Sequence, residues 1–192
     1  PEQAEELIEK LHKAHVQMHI HTNGDEASVV AIDAIERAQS LHYWGDHRHT
    51  LQHGQMIDRA LFKRMEALGI AVNLFANHIW YFGDMHVAKS IGLDRARRMD
   101  ACRTCLDEDV AMAIHSDAPV TPLAPLFTAW CAVNRITMSG ECLGPEQRIE
   151  ATEALEGITL GAASTLKLAE NIGSTERAKL AGFGGKVVTT VH

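Results

Sequence analysis

The residues of greatest chemical interest in this sequence are histidines and one aspartate. The chain holds 12 His against 2 Tyr and 5 Phe, and several His close short apolar runs. His21 ends the stretch His15–His21, His53 ends Arg48–His53, and Asp117 follows just after Val110–His115. Neutral imidazole and carboxylate are the natural ligands of Zn²⁺ and similar ions. Each of these residues taken alone reads as a polar residue at a loop start. Taken together, with alternating patterns behind them, they point to one metal centre. Ligands from separate strands converge only if those strands are neighbours in a curved or closed sheet.

The elements that must position them alternate between helix and strand. Residues 1–14 have a helical stripe of Ala4, Leu7, Ile8 and Leu11. In His15–His21, Val16, Met18 and Ile20 alternate with Gln17, His19 and His21. A helix over Glu26–Gln39 buries Val30, Ala31, Ala34, Ile35 and Ala38. In Arg48–His53, His49, Leu51 and His53 share a face by alternation. Asp58 caps a helix to Leu68, with Gly69 at its C′ position. Ile70–Phe75 is a strand, and the polar stretch with Asn77, His78, Trp80, Tyr81, Asp84 and His86 reads as a loop. Asp94–Leu106 is a helix, Val110–His115 a strand, and Pro119, Pro122 and Pro125 introduce a helix to Asn134. Four successive strand–helix units imply an α/β protein with parallel strands covered by helices, and chemistry at the C-terminal strand ends. From Ile149 come short helices at Thr152–Leu155 and Thr159–Leu168, and from Gly173 a glycine-rich tail read as a loosely held extension with one strand.

Composition narrows the function. The net charge is -7, and the densest basic patch is Arg95-Ala96-Arg97-Arg98. Nucleic acid is a poor partner for such a chain, because phosphate binding needs clustered Lys and Arg. No apolar run approaches the ~20 residues of a membrane span, and there is no signal peptide, so a cytoplasmic protein is expected. The four cysteines, Cys102, Cys105, Cys131 and Cys142, read as free thiols in a reducing compartment. The first two form a CxxC with no second pair, so buried thiols are favoured over a zinc or redox site. A nucleotide-binding domain is disfavoured: there is no GxGxxG, and Gly184-Gly185-Lys186 lacks the upstream glycine of a phosphate loop. The chain begins with Pro1 and, at 192 residues, falls short of the about 250 typical of a whole (β/α)8 barrel. A processed or partial product is the first expectation.

Several segments resemble the amidohydrolase superfamily, and most closely its amidohydrolase-3 branch of N-substituted formamide deformylase-like metal-dependent hydrolases. His21-Thr22-Asn23-Gly24-Asp25-Glu26-Ala27 resembles the family's strand-5 turn. His49-Thr50-Leu51-Gln52-His53 resembles its strand-6 segment, and His115-Ser116-Asp117-Ala118-Pro119-Val120 its strand-8 segment. Ala132-Val133-Asn134-Arg135, Ser139-Gly140 and Glu153-Ala154-Leu155 match the run that follows, so the likeness extends to about Ser174. It implies parallel βα units forming the C-terminal half, strands 5–8, of a TIM (β/α)8 barrel. Residues 1–148 would be that half, and 149–192 the C-terminal helices and tail, a remnant of the family's small β domain. The family's strand-1 His-x-His pair and strand-4 ligand have no counterpart. At Gly182 the tail departs from the family's Asp.

The resemblance implies metal-dependent hydrolysis of carbon–nitrogen bonds other than peptide bonds, in small amides or cyclic amides. His21, His53 and Asp117 would be metal ligands and Asp117 also the general base. His78, Asp84, His86 and His115 would face substrate. The cofactor would be a divalent metal, zinc by its donor set, with one or two ions in the complete enzyme. The chain as given would be a partial, poorly active fragment that forms a homo-oligomer or awaits an N-terminal half. The alternative is a non-catalytic, self-associating half-barrel whose inward residues Leu51, Val72, Leu74, Ala111 and Ala113 lack partners. His12, His15, His42 and His47 read as surface or hinge residues.

Overall fold

The alternation becomes a four-stranded parallel sheet in the computed structural model, which describes residues 2–177, 179–183 and 186–190. Its order is β1 (His19–Thr22), β2 (Thr50–His53), β3 (Ala71–Leu74) and β4 (Met112–Ile114). Sequence neighbours are sheet neighbours throughout, and every pairing is parallel. The helix α1 (Glu2–Lys13) precedes β1, and α2 (Asp25–Leu41) and α3 (Arg59–Leu68) form the first crossovers. Asp58 Oδ1 accepts from the Leu61 N–H at 2.9 Å, and Gly69 closes α3 in the left-handed region, as its spacing requires.

The register sorts the sheet into two unlike faces. On one, Leu51, Val72, Leu74, Met112 and Ile114 pack with Ile32, Ile35, Phe62 and Met65 from the helices. This corrects the expectation that Leu51, Val72 and Leu74 look inward without partners: all three are fully buried beneath helices. The other face carries His19, His21, Gln52, Asn73 and Ala113, with His21 level with Gln52, Gln52 with Asn73, and Asn73 with Ala113. It is polar and cross-linked. Gln52 Nε2 donates to His19 Nδ1 at 2.6 Å, and Asn73 Nδ2 donates to Gln52 Oε1 at 2.8 Å.

Between β3 and β4 the structure departs from the pattern. The polar stretch after β3 is a helix, α4 (Asn77–Met85), prolonged by a π-turn over His86–Ser90. Asn, His, aromatic residues and Gly are weak helix formers, so tertiary packing decides here. Gly83 lies against Thr137 and Leu143, from a distant part of the chain: an added Cβ would come within 2.8 Å of Thr137 Cγ2. The single helix read over Asp94–Leu106 is two, α5 (Gly92–Ala96) and α6 (Cys102–Asp107), parted at Asp100.

After β4, α7 (Pro125–Asn134) starts at a proline, and α8 (Ala151–Glu156) starts at a capping box of Glu150 and Glu153. A π-turn, Gly157–Gly161, leads into α9 (Ala162–Thr165). Ile149 and Ala154 join the same core as the sheet. The tail forms two antiparallel strands where one was expected, β5 (Leu180–Phe183) and β6 (Lys186–Thr190). Gly184, Gly185 and His192 lie outside the described residues. No helix among the described residues is long and apolar enough to cross a membrane.

Candidate metal centre

The site forms where strand alternation breaks. His53 leaves β2 with φ 69° and Gly54 follows at φ 56°. Turning φ from the extended to the left-handed region swings Cβ to the opposite side of the preceding strand, so His53 parts company with Leu51. Gly54 makes the turn sterically feasible: a Cβ there would lie 2.8 Å from Val72 Cγ2 and 2.9 Å from Ile57 Cδ1. Past β4, Asp117 also takes a left-handed backbone, φ 51°. The outcome is that one ligand atom each from His53, His115 and Asp117 lie within 4.8 Å of one another. His21, exposed at the sheet's free edge, stands beside this group, its ring centroid 4.5 Å from that of His53 in a T-shaped contact.

The protonation states follow from hydrogen bonds and burial. His53 is 7% exposed, yet its Nδ1 is buried with no hydrogen-bond partner among the described residues. Leaving such a group unpaired costs about 1–3 kcal/mol. Burial holds its pKa down, and Asp117 opposes that shift. A neutral, unpartnered imidazole beside a carboxylate fits a divalent cation. His115 differs. The Asp117 backbone N–H donates to its Nδ1 at 3.1 Å. Burial pushes its pKa down to about 4, with His53 adding to the shift. The neutral ring therefore carries its proton on Nε2, which has no partner. With the His115 Nε2 protonated, the residues of this group that could offer lone pairs to a cation are His53 and Asp117, with His21 alongside.

The four residues read as substrate contacts part ways. His115 is in the group, and His78, on α4, has its ring 6.2 Å from that of His53. His86 lies behind His78, ring to ring at 6.0 Å, with Gln55 Nε2 donating to its Nε2 at 3.1 Å. Asp84 gives its oxygens to the Ser139 N–H at 3.0 Å and hydroxyl at 2.7 Å. Those bonds hold its pKa down. Sequence reasoning missed Asp100 and Arg135, both fully buried, the first bonded to His78. Asp100 sits inside a helical pattern and offers no local signal. Arg135 was visible only as part of a matched run.

Four parallel βα units with a His/His/Asp cluster at their C-terminal ends define a segment of a (β/α)8 barrel. The chain belongs to the amidohydrolase family, whose sequence profile, amidohydrolase-3, matches residues 1–183, and it forms the C-terminal half of that barrel. It is 29% identical over 185 residues to Protein LONG AFTER FAR-RED 3 of Arabidopsis thaliana, covering 95% of this chain and 32% of that protein. It is 30% identical over 182 residues to N-substituted formamide deformylase of Arthrobacter pascens, covering 93% and 33%. The crystal structure of an uncharacterized metal-dependent hydrolase from Pyrococcus furiosus superposes with TM-score 0.74 at 25% identity, over 91% of this chain and 34% of that one. The chain thus spans about a third of the length of these relatives.

Proposed function

We propose that this chain carries the metal-binding and proton-transfer residues of a hydrolase that cleaves carbon–nitrogen bonds other than peptide bonds, in small amides or cyclic amides. The observation that carries this reading is the convergence of His53, His115 and Asp117, with His21 alongside, where the parallel strands end. The likeness to an N-substituted formamide deformylase supports the substrate class. His21, His53 and Asp117 hold a divalent cation, zinc by the nitrogen and oxygen donor set, with one or two ions when the barrel is complete. When bound, the cation supplies a Lewis acid that acidifies water and polarises the scissile carbonyl. Asp117 accepts a proton from the attacking water and delivers it to the leaving nitrogen. His115 is read as a substrate contact that backs His53 and Asp117, its Nε2 buried in this geometry. His78 contacts substrate, His86 supports it from behind, and Asp84 ties the same wall to Ser139.

Because the relatives are about three times as long, we propose that full activity needs the other barrel strands and that this chain alone is poorly active. Residues 1–148 are read as the half-barrel and 149–192 as its C-terminal appendage. The free edges of β1 and β4 favour association, with a second copy or with those other strands. Three buried free thiols and one exposed support a reducing, cytoplasmic setting. The test is Asp117→Asn in a complete barrel containing this chain. It should lower amide hydrolysis by about 10²-fold or more while Zn²⁺ uptake persists, since an amide still lies near the ion but takes no proton. Unchanged turnover removes Asp117 from the role of base.

A further inference from the structure

Asp100 and Arg135 are fully buried and take no part in the reading above. A charge taken into the interior is costly unless it is answered. Asp100 parts α5 from α6 with φ 48°, and Arg135 ends α7 with φ 52°. The Arg135 guanidinium donates to four carbonyl oxygens: Leu143 through Nε at 2.8 Å, Asp100 through Nη1 at 3.0 Å, Met99 and Arg97 through Nη2 at 2.9 and 3.4 Å. Three of these belong to residues 97–100, where the interrupted helix leaves carbonyls without helical partners. Arg135 therefore fixes the non-helical backbone that carries Asp100. Gly144 admits this packing, since a Cβ there would lie 1.9 Å from the Arg97 oxygen.

Held so, the Asp100 carboxylate meets His78: Nδ1 lies 3.2 Å from each oxygen. A carboxylate only accepts, so Nδ1 carries a proton, and in the neutral ring Nε2 then keeps a lone pair. That Nε2 has no hydrogen bond among the described residues, and it is not among the atoms sealed from solvent. The ring packs 4.2 Å from Phe75 and faces His53. We infer that Asp100 and Arg135 are positioning residues that hold His78 as its Nδ1–H tautomer and present Nε2 as a hydrogen-bond acceptor for a substrate N–H. This rests on the hydrolase reading of the site, and it narrows the substrate. His78 offers an acceptor, the complement of the N–H of a secondary amide. A tertiary amide has nothing to give His78.

The test is long-range ¹H–¹⁵N correlation on the histidine-labelled 192-residue chain, which reports each ring's tautomer. His78 should show a single Nδ1–H pattern, against Nε2–H for His47 and His49, whose hydrogen bonds fix that form. Asp100→Ala should turn the His78 pattern into a tautomer mixture, Asp100→Asn should restore it because the amide oxygen accepts, and Arg135→Lys should weaken it. His47 and His49 report in the same spectra whether each variant is folded. N-methylformamide should shift His78 Nε2, and N,N-dimethylformamide should not. An Nε2–H pattern in the unaltered chain, or a folded Asp100→Ala chain with the pattern unchanged, overturns the inference. Equal response to both amides, or none, removes its substrate-facing part. Should the tautomer fail while Zn²⁺ still shifts His21 and His53, only this inference falls. An intact tautomer with no Zn²⁺ response removes the hydrolase reading instead.

Discussion

At His53 one backbone torsion decides what the side chain can do. Its left-handed φ puts the imidazole among His21, His115 and Asp117 instead of among the core residues beside Leu51. Gly54→Ala therefore carries two costs, a strained φ and contacts under 3 Å with Val72 and Ile57. We expect a loss of about 1–3 kcal/mol in urea unfolding, with weaker Zn²⁺ uptake. Unchanged stability would show that this turn tolerates a side chain. The placement of His21, His53 and Asp117 at strand ends was legible because each follows an alternating apolar run. Strict alternation nevertheless grouped His53 with Leu51, because it contains no rule for a left-handed exit. The tautomer of His115 was not legible, since it depends on the backbone N–H of Asp117. Asp100 and Arg135 were hidden because they answer each other across 35 positions of chain.

At the scale of elements, the opposite end of the sheet holds a second histidine cluster. The Met18 N–H donates to His49 Nδ1 at 3.2 Å, His49 Nε2–H to His12 Nδ1 at 2.9 Å, and His12 Nε2–H to the His42 carbonyl at 2.8 Å. The His49 N–H donates to His47 Nδ1 at 2.9 Å, and His47 Nε2–H to the Leu68 carbonyl at 2.7 Å. Every ring nitrogen is satisfied in the neutral form, so an added proton finds a donor where it needs an acceptor. This corrects the reading of His12 and His47 as surface or hinge residues: both are buried, whereas His15 is exposed and His42 caps α2. Trp44 covers the cluster, with Lys167 4.7 Å above its ring and Asp46 alongside. Burial pushes His49 down to about 3, reinforced by His47, His12, Lys167 and His19, and it lowers His47 as well. The unfolded chain then binds more protons below its ordinary pKa of 6.5. Stability from His49 is complete above that value and drains as pH falls toward about 3, at up to about 1.4 kcal/mol per pH unit. Urea midpoints should fall steadily from pH 7 to 4, and His49→Gln should flatten that slope. An equal slope in the variant would contradict the assignment.

The whole molecule presents a polar, cross-linked inner face rather than the apolar one expected, so hydrophobic burial across that face does not drive association. Among the described residues, the outer edges of β1 and β4 remain unpaired. We expect light scattering to show species heavier than 21.1 kDa. A monodisperse monomer at high concentration would show that the edges are tolerated. The parallel sheet and its order were legible because each βα unit carries its own pattern and cap. Helix α4 and the break at Asp100 were not, because packing partners distant in sequence impose them.

The central claim, that this half-barrel holds a metal through His21, His53 and Asp117, is tested most directly by adding Zn²⁺ to the histidine-labelled chain and following every imidazole at once. His21 and His53 should shift together and saturably, His115 should keep its Nε2 proton, and His47 and His49 should stay in place. Asp117→Ala should lower the apparent affinity by at least about tenfold. Absence of any shift at His21 and His53, or a response in which those two move no more than His47 and His49, would contradict it.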